Sequence, residues 1–283
     1  MGKILIIDVE KCTGCMSCMV ACKDEFVAND WTPYSKPQPE HGVFWIKVEG
    51  LERGTIPKVK VTYTPILCMH CDNAPCIKSC PTNAITKRND GIVLINPAQC
   101  DGCKHLQFKP LCIEACPYNA VYYNSELGIA QKCTLCAHLL DDPDWKYGPR
   151  CSDACPIGAL TYGDENDPKI KQLISKAETL NSSCNTKPRV YYLNLAKPFI
   201  SGCIVDSERR EVVTNAKVTA LDLYTSEKHE TLTDEFGDFW LKNLKTNRKY
   251  LIKVGKEGYI EKTVGVYTLD KDINVGTVFL KSK

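Results

Sequence analysis

Sixteen of the eighteen cysteines in this 283-residue chain fall into four groups of four. Cys12, Cys15, Cys18 and Cys22 form the first, spaced C-x2-C-x2-C-x3-C. The second is Cys68, Cys71, Cys76 and Cys80; the third is Cys100, Cys103, Cys112 and Cys116; the fourth is Cys133, Cys136, Cys151 and Cys155. Those three end in Cys-Pro, at Pro81, Pro117 and Pro156. A tight Cys-x-x-Cys pair sets two thiolates on one side of a short loop, where they can grip one metal centre. The last cysteine, about one helical turn past the third, faces elsewhere. Four such groups point to four iron–sulfur clusters, and a row of clusters carries electrons.

Two other uses of cysteine compete. A disulfide framework belongs to short secreted chains. This chain is long, shows no signal-peptide apolar run, and spaces its cysteines too closely for most pairs to bridge well. Structural zinc also uses paired Cys-x-x-Cys units. Zinc sites rarely end one quartet after another in Cys-x-x-x-Cys-Pro, so iron and sulfide are preferred. Cys184 and Cys203 stand alone in unrelated contexts and read as ordinary buried thiols.

Length suits two or three domains. A formal net charge of +2 gives no electrostatic case for nucleic acid or an anionic membrane. No apolar run approaches the roughly 18 residues that span a bilayer, so no direct membrane insertion is expected. The chain runs from Met1 straight into a strand-like Lys3-Ile-Leu-Ile-Ile-Asp8, and no cleaved or twin-arginine leader is expected. So many free thiols fit a reducing, anaerobic cytoplasm, with export on a partner's signal the alternative.

An internal repeat outlines the architecture. After three quartets the chain reads Cys-Pro-x-x-Ala and an apolar residue: Pro81–Ile85, Pro117–Val121 and Pro156–Leu160. Proline turns the backbone after the ligand, and alanine lets it pack closely. A hairpin is predicted from Ala84 through the turn Asn89-Asp90-Gly91 to Ile95, and another from Ala120 to Ile129. Each delivers the next Cys-x-x-Cys. Strand, cluster loop, short helix and strand then repeat, the duplicated layout of a bacterial ferredoxin.

Residues 23–67 insert between the first two quartets and end in a strand-like Lys58–Tyr63. After the last quartet, Asp167-Pro168 makes an N-cap and first helical residue, and Ile170, Leu173, Ile174, Ala177 and Leu180 have helical spacing. From residue 197 short strand-like runs appear at Val212-Val213, Ala216–Ala220, Phe239–Leu241, Tyr250–Val254 and Thr277–Leu280. The fold class expected is therefore α+β. A duplicated ferredoxin-like cluster-binding core with insertions (1–196) precedes an all-β sandwich of transthyretin or Ig-like kind (197–283).

Cys12-Thr-Gly-Cys15-Met-Ser-Cys18, Cys68-Met-His-Cys71-Asp-Asn-Ala-Pro-Cys76 and Cys112-Ile-Glu-Ala-Cys116-Pro-Tyr-Asn119 carry a resemblance. The cluster region resembles the iron–sulfur electron-transfer (beta or small) subunits of the dimethyl sulfoxide reductase family of molybdopterin oxidoreductases. More narrowly, Gln131–Asp142, Glu52–Pro57, Lys187–Tyr192 and the appended β-region are similar to small subunits of pyrogallol–phloroglucinol transhydroxylases and related phenol hydroxylases and dehydroxylases. That narrower group is associated with three clusters, whereas all four quartets are complete here. Eight residues, Lys104 to Leu111, separate Cys103 from Cys112 where two are usual, which makes the Cys100 site the most divergent.

The resemblance implies a chain that is itself non-catalytic. It would carry four [4Fe–4S] clusters beside a molybdopterin-containing catalytic subunit, in a heterodimer or a higher oligomer of heterodimers. Molybdopterin would sit on that partner only, and the substrate would be a phenolic aromatic. By the exchange known in two-cluster ferredoxins, Cys12, Cys15 and Cys18 share a cluster with Cys155, and Cys133, Cys136 and Cys151 with Cys22. Likewise Cys68, Cys71 and Cys76 pair with Cys116, and Cys100, Cys103 and Cys112 with Cys80. His70, His105 and His138 lie inside cluster loops and read as hydrogen-bond donors or potential-tuning groups. The alternatives are a subunit of another respiratory molybdoenzyme, acting on sulfur, arsenic or sulfoxide substrates, and a free-standing polyferredoxin.

Overall fold

The apolar run Ile4–Ile7 makes a fully buried strand, β1 (Lys3–Asp8), at the centre of a three-stranded sheet. Its neighbours come from far along the chain: β8 (Leu160–Asp164) pairs antiparallel and β9 (Val190–Leu193) parallel. The computed structural model describes residues 2–104 and 110–283. They divide into two units, Met1–Gly50 with Thr62–Leu195, and Leu51–Val61 with Ala196–Lys283.

In the first unit α1 (Ser17–Phe26) follows β1, and a long hairpin follows in turn, β2 (Ile46–Thr55) with β3 (Lys58–Leu67). The two hairpins predicted from the repeat form as β4 (Ile85–Lys87) with β5 (Val93–Ile95), and β6 (Tyr122–Asn124) with β7 (Ile129–Gln131). Helices α2 (Pro75–Lys78), α3 (Leu111–Glu114), α4 (Ala137–Leu140) and α5 (Arg150–Asp153) are single turns. Elements this short do not persist alone. Their core is built from cysteines and apolar side chains together, with Phe26 against Trp45 at 4.6 Å between ring centroids.

The predicted helix after residue 167 is present but shorter. Asp167 accepts from the N–H of Lys169 at 2.8 Å and caps α6 (Pro168–Ile174), whose Ile170 packs on Ile4 and Ile6. It stops at Ile174 because Glu178 pairs with Tyr192 through both backbone groups, drawing the chain onto the sheet.

The second unit is β-rich. One sheet orders β13 (Asp238–Leu241), β10 (Ile200–Asp206) and β16 (Ile273–Leu280). The other orders β12 (Lys228–Leu232), β11 (Lys217–Asp222), β14 (Arg248–Gly255) and β15 (Lys262–Leu269). Strand alternation aims Tyr250, Ile252 and Val254 into a core shared with Ile204, Phe239 and Val278. Three strands are additions to the sequence reading: β10, β12 and β15. The last two are largely exposed, β12 opening on four polar residues in a row and β15 interrupting its apolar residues with Gly265 and threonines, so they lack the apolar runs that marked the others. Val212 makes only an isolated bridge to Val205.

The tip of the β2–β3 hairpin belongs to this second unit. Arg53 donates to the carbonyl of Lys197 at 3.0 Å, pairs with Asp272 at 3.4 Å and lies over the Phe199 ring. Lys58 pairs with Asp238. Gly54 has φ +92°, and a side chain there would meet the carbonyl of Lys58 and the Phe199 ring.

Candidate iron–sulfur sites

Each quartet is displayed by one local device. The third cysteine sits on a helix: Cys18 on α1, Cys76 on α2, Cys112 on α3 and Cys151 on α5. Proline sets the start of the three short ones, with Pro75 as first helical residue and Pro110 and Pro149 just before. Upstream, the loop reverses through left-handed residues: Met16, His70, Cys103 and Cys136. Left-handed backbone is uncommon outside glycine, and here it turns consecutive thiols inward. Gly14 (φ +72°) has the Tyr63 ring 2.6 Å from where a Cβ would stand, so only glycine fits.

The Cys-Pro-x-x-Ala repeat has a clearer cause than alanine packing. Asn83, Asn119 and Gly158 occupy the same place in it and all adopt positive φ. Each N–H returns to the carbonyl of the preceding cysteine. In two repeats the alanine N–H then reaches the cysteine sulfur: Ala120 to Cys116 at 3.5 Å and Ala159 to Cys155 at 3.2 Å. Leu135 donates to Cys133 and Ala130 to Cys100, both at 3.3 Å. Such donors stabilise thiolate charge and tune a bound cluster.

The structure brings cysteines together across quartets. Cys12 and Cys18 both feel the charge of Cys155. Cys71 and Cys76 both feel Cys68 and Cys116. Cys112 feels Cys100, Cys103 and Cys80. Cys22 feels Cys133 and Cys151, and Cys136 feels Cys22. Cys68, Cys71, Cys76 and Cys116 line one cavity whose other walls include Ala74, Val93 and Val121. A single zinc would need its thiolates within about 4 Å of one another, given Zn–S bonds near 2.3 Å. Among the described residues no three His, Cys, Asp or Glu side chains are arranged to hold one ion. Four thiols around an apolar cavity instead fit a polynuclear cluster.

Burial pushes the thiols up, reinforced by neighbouring sulfurs: Cys18 and Cys76 to about 11, Cys71, Cys112 and Cys133 to about 12. Crowded buried thiols resist ionising unless a cationic centre replaces the protons. That is the donor set a cluster's irons require. Cys15 is exposed, and its thiol is lowered by the Ser17 hydroxyl 3.4 Å away.

Surrounding segments hold the loops. Residues 185–189 clamp the second: Thr186 and Lys187 carbonyls accept from Asn73 and Asp72, and Arg189 pairs with Asp72 at 2.6 Å. The inserted segment grips the fourth, where Trp31 stacks on His138 at 4.2 Å and Glu25 meets His138 Nε2 at 2.9 Å. His70 accepts at Nδ1 from the N–H of Val93 at 3.0 Å, and burial holds its pKa well below the ordinary histidine value. Gln38, whose amide reaches Cys22 Sγ at 3.8 Å, and Lys132 were not visible as site residues in the sequence. Residues 105–109, with His105, lie outside the described residues. Cys184 is exposed in a turn between Asn181 and Asn185, not buried as expected, because both asparagines turn the chain through left-handed backbone at the surface.

Comparison with known proteins agrees with this chemistry. Two 4Fe-4S dicluster domain families match, over residues 11–84 and 59–165, and a carboxypeptidase regulatory-like domain family matches 200–279. The chain belongs to the iron–sulfur electron-transfer subunits of the dimethyl sulfoxide reductase family of molybdopterin oxidoreductases. It is 35% identical to the pyrogallol hydroxytransferase small subunit of Pelobacter acidigallici over 98% of both chains. It is 34% identical to the arsenate respiratory reductase iron-sulfur subunit of Shewanella sp. (strain ANA-3), over 67% of this chain and 94% of that one. A tetrathionate reductase subunit of Salmonella typhimurium matches at 34%, over 70% of this chain and 74% of that one. Its cofactors are [4Fe–4S] clusters, and molybdopterin belongs to the catalytic partner. Among the described residues no helix is long and apolar enough to cross a membrane.

Proposed function

We propose that this chain wires a molybdopterin subunit acting on phenolic aromatics, by hydroxylation, transhydroxylation or dehydroxylation. One observation carries the substrate class. The likeness to the pyrogallol hydroxytransferase small subunit runs through the β-rich region, whereas the likeness to the arsenate and tetrathionate subunits spans 67–70% of the chain. We read that region as a transthyretin or Ig-like sandwich, in a division at about residue 197, that stabilises assembly with the partner as a heterodimer or larger oligomer.

The ligand sets are those of the exchange pattern: Cys12, Cys15, Cys18 with Cys155; Cys22 with Cys133, Cys136, Cys151; Cys68, Cys71, Cys76 with Cys116; Cys80 with Cys100, Cys103, Cys112. Mutual charge effects among these thiols support it. Once bound, each cluster supplies one-electron transfer. The chain holds the sites in a row, since Cys151 feels Cys18, Cys133 feels Cys68 and Cys112 feels Cys76. That order runs from the Cys12 site through the Cys133 and Cys68 sites to the Cys100 site. The Cys12 end is open, with Cys15, Val20 and Ile157 exposed around it, and electrons would pass there to or from the partner.

The test is co-purification with the partner and turnover on pyrogallol-type phenols against tetrathionate and arsenate. Turnover of the oxo-anions alone would replace the phenolic reading with the respiratory one. Cys155→Ser should remove the Cys12-site resonance and spare the Cys133-site one; the reverse would sink the exchange.

A further inference from the structure

Lys132 is a lysine out of place. It is 3% exposed, and its Nζ donates to the carbonyls of Val93 and, at 3.0 Å, Cys133. No carboxylate among the described residues pairs with it. A buried ammonium without a counter-charge is unfavourable, so an anion must be supplied by something else nearby. Its two anchors identify that anion. Val93, on β5, lines the cavity of Cys68, Cys71, Cys76 and Cys116. Cys133, on the other side, is a thiol of the adjoining site. Val93 is itself held by the bond from its N–H to His70 Nδ1, which anchors the residue whose carbonyl receives the ammonium.

We propose that Lys132 is a potential-setting residue: its ammonium, held between the two inner cluster sites, raises the reduction potential of both. The Val93 carbonyl that accepts from the ammonium belongs to a residue lining the cavity of Cys68, Cys71, Cys76 and Cys116, and its other acceptor is the carbonyl of Cys133 in the adjoining site. A cluster ligated by four thiolates is anionic, and reduction adds a further negative charge. A cation in a poorly screened interior therefore stabilises the reduced form more than the oxidised one. Burial alone would drive the inner sites to the lowest potentials in the row; Lys132 offsets this. The proposal rests on the ligation given above only for naming which clusters flank the lysine.

The experiment is a redox titration of the full chain with its partner, followed by paramagnetic resonance, for wild type, Lys132→Met and Lys132→Arg. Cys→Ser variants assign the signals beforehand, so an error in ligation would show there and not in the lysine series. In Lys132→Met both inner clusters should be at least tenfold less reduced at a fixed potential, 59 mV for a one-electron couple. The Cys12 and Cys100 sites should move less than threefold, and Lys132→Arg should stay within threefold of wild type throughout. Loss of inner-site iron from Lys132→Met that Lys132→Arg restores would also support a charge requirement. Full iron with unchanged potentials, equal shifts at all four sites, or equal damage from Met and Arg would each overturn it.

Discussion

The two units of this chain are held together by different physics. In the first, strands of three residues and helices of four converge on buried thiols, and fourteen cysteines pack in or against the core where aliphatic side chains would stand elsewhere. In the second, strands of up to eight residues pair in long ladders over an apolar cluster that holds none of the quartet cysteines. The first unit is expected to draw cohesion from the clusters it binds, and the second to stand without them. One protein thus separates a cofactor-dependent conductor from a scaffold that carries no cluster ligands.

Removing iron should break this comparison open most visibly. Binding free energy at such sites is folding free energy, so anaerobic chelation is expected to abolish protease resistance across residues 62–195. The β-rich unit should keep its strand circular-dichroism signal. A uniform loss of both would mean that they fold as one.

Core truncations come next. Phe26→Ala and Phe239→Ala each remove a fully buried ring and should cost about 3–5 kcal/mol. Each should shift only its own transition in a thermal melt of the loaded protein. A shared shift would contradict separate cores.

Gly54→Ala sharpens the boundary. Its positive φ and contact with Phe199 predict a loss of about 1–3 kcal/mol, read in the transition of the β-rich unit although the residue lies between two cluster motifs. A shift confined to the cluster unit would return the hairpin tip to it.

The smallest effect is electrostatic. Arg88 binds Asp141 through two hydrogen bonds of 2.8 and 2.7 Å, and Tyr34 adds a third at 2.6 Å, which together hold that carboxyl below the usual carboxylate range. A depressed carboxylate contributes stability above its unfolded pKa of about 3.9, lost as pH falls through the folded value. The carboxylate is over a third exposed, so Asp141→Asn should cost under about 1 kcal/mol at pH 7 and nothing near pH 2. Equal cost at both would mean that the bonds matter through shape and not charge.

Much of this was legible in the chain. Cysteine spacing named sixteen ligand candidates, since loop and helical-turn geometry act over a few residues. Turn chemistry at Asn89-Asp90-Gly91 announced β4 and β5, and Asp167-Pro168 announced the start of α6. The β-rich region declared itself where apolar runs alternate, as at Tyr250–Val254. It hid where strands are half-solvated, as at Lys228–Leu232 and Lys262–Leu269, because an exposed strand needs no apolar signature.

What the sequence determined by itself is local: which residues can be ligands, where a left-handed asparagine or glycine is tolerated, and which proline opens a helix. Those depend on covalent geometry and near neighbours. Only the tertiary structure decided that β1 lies between β8 and β9, that Glu178 pairs with Tyr192, and that Arg53 meets Asp272. It also decided that Lys132, an ordinary cation in the sequence, is enclosed between two thiol-lined sites. Such pairings join residues far apart in the chain, and they follow from how buried surfaces close on one another, which no local pattern encodes.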